Sequence, residues 1–171
     1  MARAVPFFIF RVKSRQVIID LISKTWKLLP RNARTFLTRR VQPKFTVSAA
    51  AVVFNDEGKV LLLDHILRPH SGWGVPGGFI DAYEQPEAAL RRELQEEAGI
   101  NLRDVSLYRC RTIKKHIEII FIARAVGEPR VNSREIRGLM WTSILEMPPD
   151  MSLDQQFLVK KVIEEKEKID E

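Results

Sequence analysis

The chain has 171 residues, 28 Lys/Arg against 22 Asp/Glu, and one cysteine. That length allows one domain with a sizeable core plus an appendage. The lone Cys110 excludes an internal disulfide framework and points to a reducing compartment, so a cytoplasmic protein is expected. Cys110 itself reads as a small strand side chain rather than a catalytic thiol. The net charge of +6 is uneven: residues 1–44 carry eleven Lys/Arg and one acid, Asp20, a net of +10. The remainder is −4, so the basic character belongs to the appendage.

Residues 5–10, VPFFIF, are far too short to span a bilayer, which needs about twenty residues. Arg11 interrupts the run and no small-residue cleavage site follows, so no secretory signal is expected. Ser14 can cap a helix running to about Leu29. Val17, Ile18, Leu21, Ile22, Thr25 and Leu28 form its apolar stripe. Pro30 ends it. A second short helix, Arg31 to Val41, carries Ala33, Phe36, Leu37 and Val41 on one side, and Pro43 closes the segment. Three readings of 1–44 compete. The helices pack on the rest of the chain or on a second subunit, making a homodimer; they lie on a membrane surface; or they are a targeting presequence. The basic run contains no recognisable nucleic-acid module.

Phe45 to Phe54 is rich in Val and Ala and predicts a buried strand. Asn55 to Gly58 is a turn, and Lys59 to Asp64 returns as a second strand. His65 to Gly72 is a loop holding Arg68; His65 or His70 could touch a substrate, but with no second metal-ligand pattern around them both are expected as exposed loop residues. Further on, Val105 to Ile113 predicts a strand, Lys114 to His116 a turn, and Ile117 to Val126 another strand. Residues 130–136 form a polar loop before a short strand ending near Trp141. Ser152 to Gln155 is a capping box opening a last helix. Leu153, Phe157, Val159, Val162 and Ile163 are its expected buried side, and EEKEKIDE a solvated tail.

Between these strands lies GFIDAYEQPEAALRRELQEEAGI, Gly78 to Ile100. Pro86 suits the first helical position, because its missing N–H would be unpaired there anyway. Ala88 to Leu94 are good helix formers, and Gly99 stands where a left-handed cap is needed. Glu93, Glu96 and Glu97 fall at i, i+3 and i+4, so their carboxylates share a face. Three like charges so close repel, and a solvated face would interleave lysines. A hard divalent cation is the simplest compensation. Gly77 and Gly78, in front of the helix, allow backbone to approach a ligand and offer a carbonyl oxygen.

This stretch resembles the Nudix box: Gly, five residues, Glu, seven residues, then Arg-Glu-aliphatic-x-Glu-Glu-x-Gly-aliphatic. Gly78, Glu84, Arg92, Glu93, Leu94, Glu96, Glu97, Gly99 and Ile100 fill every specified place. The resemblance covers residues 45 to about 145 and leaves 1–44 outside. It implies an α/β/α sandwich, a mixed β-sheet between helices, which agrees with the α+β order of elements; here it bears an N-terminal helical extension. It divides the chain into residues 1–44 and a Nudix domain, 45–171.

The resemblance further implies hydrolysis of a diphosphate bond in a nucleotide-type small molecule, with Mg²⁺ or Mn²⁺. Glu93, Glu96 and Glu97 become metal ligands, helped by a backbone carbonyl of Gly77 or Gly78. Arg92 pairs with Glu84 and steadies the loop–helix junction. In many members a glutamate in the loop before a tryptophan-bearing strand is a ligand or general base. Glu135, six residues before Trp141, occupies such a place, and Glu93 is the alternative base. Lys115 and His116 stand where an ADP-ribose subgroup has proline, and the dinucleoside polyphosphate tyrosine is absent. A nucleoside diphosphate derivative or a nucleoside triphosphate remains. The other function class is a non-catalytic nucleotide-binding or regulatory module on the same scaffold, which the intact glutamates disfavour.

Overall fold

The computed structural model describes residues 8–68 and 71–170, with side chains from residue 16 onward except residues 167, 169 and 170. Residues 5–7 and His70 lie outside the described residues. The chain divides into two compact units, one ending at Lys44 and the other beginning at Phe45.

The first unit is two helices, α1 (Phe8–Leu28) and α2 (Arg31–Val41). Helix α1 begins upstream of Ser14, which is therefore interior rather than its cap. Pro30 separates the two, with an extended ψ of 149° that no α-helix accommodates. No described residue of this unit is buried.

The second unit is built on one mixed sheet. Strand β1 (Thr46–Phe54) is buried on both faces over its second half, which is why it reads as a continuous apolar run. It pairs in parallel with β6 (His116–Val126), which in turn pairs antiparallel with β5 (Asn101–Ile113). The turn from β1 to β2 (Val60–His65) is closed by Asn55, whose Oδ1 accepts the Lys59 N–H at 2.8 Å. Beyond Phe54 and Val60 the two strands part. β3 (Trp73–Gly74) and β7 (Ile136–Thr142) pair with β2, while β4 (Gly77–Phe79) pairs with β1. This fork opens the sheet between β1 and β2.

Alternation sends the strands' side chains into two cores. Ala49, Ala51, Val53, Leu61 and Leu63 meet Leu90, Leu94 and Ala98 of α3 (Pro86–Ala98). Ala50, Val52, Phe54 and Leu62 meet Leu158, Val159 and Val162 of α4 (Leu153–Asp170) on the other side. Helices thus flank the sheet on both faces, as expected.

Several expectations need correction. Strand β5 begins at Asn101 rather than at Val105; Cys110 lies on this strand, as expected, with its side chain exposed. On α4, Leu153 and Phe157 are exposed, and Leu158 takes the buried place. Only half of the capping box forms. Ser152 Oγ lies 3.4 Å from the Gln155 N–H, but Gln155 Oε1 accepts from the Val75 N–H at 3.1 Å instead. The expected tail continues as helix to Asp170, where Glu165 accepts the Tyr108 hydroxyl at 2.7 Å and Lys166 covers the Phe54 ring.

Candidate active site

Helix α3 positions the acidic residues. Pro86 opens it, and Gly99 closes it with φ at +67°, a left-handed turn glycine enters at no steric cost. With Leu90, Leu94 and Ala98 in the core, Glu97 is drawn to the buried edge of the helix, Glu93 beside it, and Glu96 stays in solvent.

Arg92 organises the surroundings. Its Nε and Nη2 donate to the two Glu84 oxygens at 2.9 and 3.0 Å, a bidentate pair. Nη1 donates to Glu93 Oε1 at 2.9 Å and reaches Glu96 Oε2 at 3.4 Å, while Nη2 also donates to the Phe79 carbonyl at 3.1 Å. Glu84 is held below the usual carboxylate range, first by Arg92 and then by the Asp81 N–H. Arg92 thus ties the loop before α3, the middle of α3 and β4 together.

The glycines in front of α3 are spatial requirements. Gly77 has φ of +142°, and a Cβ there would overlap the Ala49 carbonyl on β1. A Cβ on Gly78 would overlap the Glu93 carboxylate. Glycine at 78 therefore lets this carboxylate lie directly against the backbone.

Glu97 is the most perturbed acid. Burial, then the charge of Glu93, pushes it up to about 7, against the opposing Gly77 N–H and Arg68; Glu135 adds to the upward push. Its Oε2 is buried without a hydrogen-bond partner among the described residues. His65 Nδ1 lies 3.5 Å from Glu97 Oε1. Burial, with Arg68 nearby, lowers His65 to about 4, so the imidazole is neutral near pH 7 and the contact is not an ion pair. His65 ends β2 with only 11% of its side chain exposed, which corrects the expectation of an exposed loop histidine.

A cavity of about 410 Å³ opens beside these groups. Ser48, His65, Arg68, Phe79, His116 and Glu135 line it, with the backbone of Gly77 and Gly78. The sequence-predicted Glu135 is exposed on this wall, and its carbonyl accepts the Ile66 N–H at 2.9 Å. Five lining residues, Ser48, Leu67, Arg68, Phe79 and His116, escaped sequence reasoning. His116 bonds Thr46 Oγ1 through Nδ1 at 2.8 Å and Ser48 Oγ through Nε2 at 2.9 Å. Phe79 meets its ring edge-on at 5.9 Å between centroids. Arg68 donates to the Val75 carbonyl at 3.0 Å, and burial lowers its pKa while Glu97 and Glu118 oppose that shift.

Among the described residues no three His, Cys, Asp or Glu side chains converge as a ready ligand set. Arg92 draws Glu93 and Glu96 toward itself, which accounts for the divergence. The donor chemistry nevertheless fits a hard divalent cation. The orphaned Glu97 oxygen, the neighbouring Glu93 carboxylate and the close glycine backbone are hard oxygen donors grouped at one place.

Comparison with known proteins agrees with this arrangement. The NUDIX domain model matches residues 44–162. The chain is 30% identical over 114 residues to a MutT-like protein of Streptomyces ambofaciens, covering 64% of this chain and 71% of that protein. It is 41% identical over 61 residues to an 8-oxo-dGTP diphosphatase of Proteus vulgaris, covering 34% of this chain and 54% of that protein, so it spans about half of that relative's length. Among solved structures, a MutT NUDIX hydrolase from Burkholderia pseudomallei superposes with a TM-score of 0.62 at 28% identity, covering 70% of this chain and 98% of that one. A family match over well more than half of the residues, on a fold with the same mixed sheet between helices, places this chain in the Nudix hydrolase family.

Proposed function

We propose that the chain is a divalent-metal-dependent hydrolase of the diphosphate linkage in a nucleoside triphosphate or nucleoside diphosphate derivative. The observation that carries this reading is the partnerless Glu97 oxygen beside Glu93, next to a cavity large enough for a nucleoside. Glu93, Glu96, Glu97 and a peptide oxygen of Gly77 or Gly78 would hold Mg²⁺ or Mn²⁺. Such a cation, when bound, supplies charge neutralisation for the diphosphate and Lewis acidity toward the attacking water.

The chain's own groups do the rest. Arg92, braced by Glu84, fixes Glu93 against Gly78 and keeps the loop in register with α3. Glu135, at the solvent-facing wall, takes the proton of the attacking water, with Glu93 as the alternative base. Arg68 offers a cation to the phosphate chain. Ser48, Phe79 and His116 form a polar-and-aromatic wall against which the non-phosphate group rests. The triphosphate reading follows the Proteus vulgaris relative, whose name specifies 8-oxo-dGTP.

A panel of nucleoside triphosphates, including 8-oxo-dGTP, and nucleoside diphosphate derivatives tests the proposal through phosphate and pyrophosphate release. Turnover with Mg²⁺ or Mn²⁺ that disappears with chelator supports it. Tight binding of a nucleotide without turnover of any would instead indicate a binding module.

A further inference from the structure

We propose that residues 17–41 form a peripheral membrane-binding surface for anionic phospholipid. The proposal rests on three features of the first unit and is independent of the activity assigned to the second.

The first is an apolar face that no described residue covers. At about 100° per residue, Val17, Ile18, Ile19, Leu21, Ile22, Trp26 and Leu28 spread over more than half of α1. Gln16, Asp20, Ser23, Lys24 and Lys27 occupy the narrow remainder. All seven apolar side chains are exposed, from 39% at Trp26 to 83% at Leu28. On α2, Phe36, Leu37 and Val41 are exposed as well. Monomeric soluble proteins rarely leave so many bulky apolar side chains contiguous and bare.

Charge is the second feature. Residues 17–41 carry six Lys/Arg against Asp20, a net of +5. A second copy would bring an equal positive charge against it, which disfavours self-association. An anionic bilayer surface supplies both needed complements, hydrocarbon for the wide apolar face and negative charge for the lysines and arginines. No described helix is long and apolar enough to cross a membrane, so α1 would lie along the surface. Its wide apolar and narrow polar sectors suit that depth.

The third feature is a basic concavity. Arg31, Arg34 and Arg39 line it together with Trp26, Thr35 and Thr38. Arg34 Nε is buried and has no hydrogen-bond partner among the described residues. An unpaired guanidinium N–H in a cluster of arginines is a donor set for phosphate oxygens, here those of a lipid headgroup. Trp26 at its rim is the residue type that favours the headgroup level.

The test is co-sedimentation of the full chain with phosphatidylcholine vesicles, with and without phosphatidylglycerol. Binding to the mixed vesicles, at least tenfold weaker to pure phosphatidylcholine and released by added salt, is the expected result. The double variant Ile18→Glu/Ile22→Glu should abolish sedimentation, and Arg31→Gln/Arg34→Gln/Arg39→Gln should erase the preference for anionic vesicles. Neither should change the melting temperature or the rate of nucleotide turnover. No binding to either vesicle overturns the proposal, as does undiminished binding of the Ile18→Glu/Ile22→Glu variant. A lipid-free dimer that this variant dissociates means that a second copy covers the face. A lower melting temperature of the same variant without lipid means that the chain itself covers it. Release by millimolar inorganic phosphate at constant ionic strength means a free-anion site. Each of these three also overturns the proposal.

Discussion

The carboxylate of Glu93 lies where a Cβ on residue 78 would sit, so Gly78 and Glu93 share one space. The backbone at Gly78 is not in the left-handed region, and the three atoms nearest an added Cβ all belong to the Glu93 carboxylate. Gly78→Ala should therefore push the carboxylate aside without unfolding the domain. Turnover is expected to drop roughly tenfold or more, since displaced supporting groups typically cost that much at metal sites. Kinetics and melting measured together check this: unchanged turnover would mean that the Glu93–Gly78 contact is irrelevant to the chemistry.

Glu97→Gln separates metal binding from burial. Burial and Glu93 raise the folded-state value of Glu97 to about 7, from 4.5. Stability from such a raised acid is present below the unfolded value and lost as pH rises through the folded one. Without metal, the variant should therefore melt above the wild type at about pH 8, and the gap should shrink toward pH 5. With Mg²⁺ its turnover should fall roughly a hundredfold. Near-full turnover would show that this face is not the metal site.

Arg92→Lys tests the clamp. Lysine keeps the charge but offers no planar fork for Glu84 and cannot reach Glu93, Glu96 and the Phe79 carbonyl together. Both melting temperature and turnover should fall, with the loss of kcat exceeding any change in KM. A variant that matches the wild type in both would reduce the clamp to an ordinary surface pair.

His116→Ala probes the cavity wall formed with Ser48 and Phe79. It removes the partner of Thr46 and Ser48 and the ring that Phe79 meets edge-on. If this wall holds the non-phosphate group equally in ground and transition states, KM should rise about tenfold with kcat little changed. A fall in kcat at constant KM would move His116 into the reacting centre.

A chain beginning at Gln42 should retain metal-dependent turnover, because every lining residue of the cavity lies beyond residue 45. Assay and melting of that shorter chain decide the matter. Loss of activity in a folded protein would implicate residues 1–41 in the substrate pocket.

Local sequence determined much of this protein. Pro86 and Gly99 bound α3 because helix ends depend on backbone conformations that individual residues favour. The spacing of Glu93, Glu96 and Glu97 places them on one helix, and the change of charge at residue 44 coincides with the junction of the two units. The site's other wall was decided only in three dimensions. Thr46 and Ser48 meet His116 about seventy residues away because β1 runs parallel to β6 in one register. His65 is mostly shielded against Glu97 because β2 continues past its expected end, and Leu158 displaces Leu153 and Phe157 because the sheet selects which side of α4 it covers. Periodicity says that a face is apolar, but long-range packing chooses among neighbouring faces. The same holds for the acids: spacing made three glutamates equivalent, and only tertiary burial made Glu97 an orphaned, raised acid while leaving Glu96 in water.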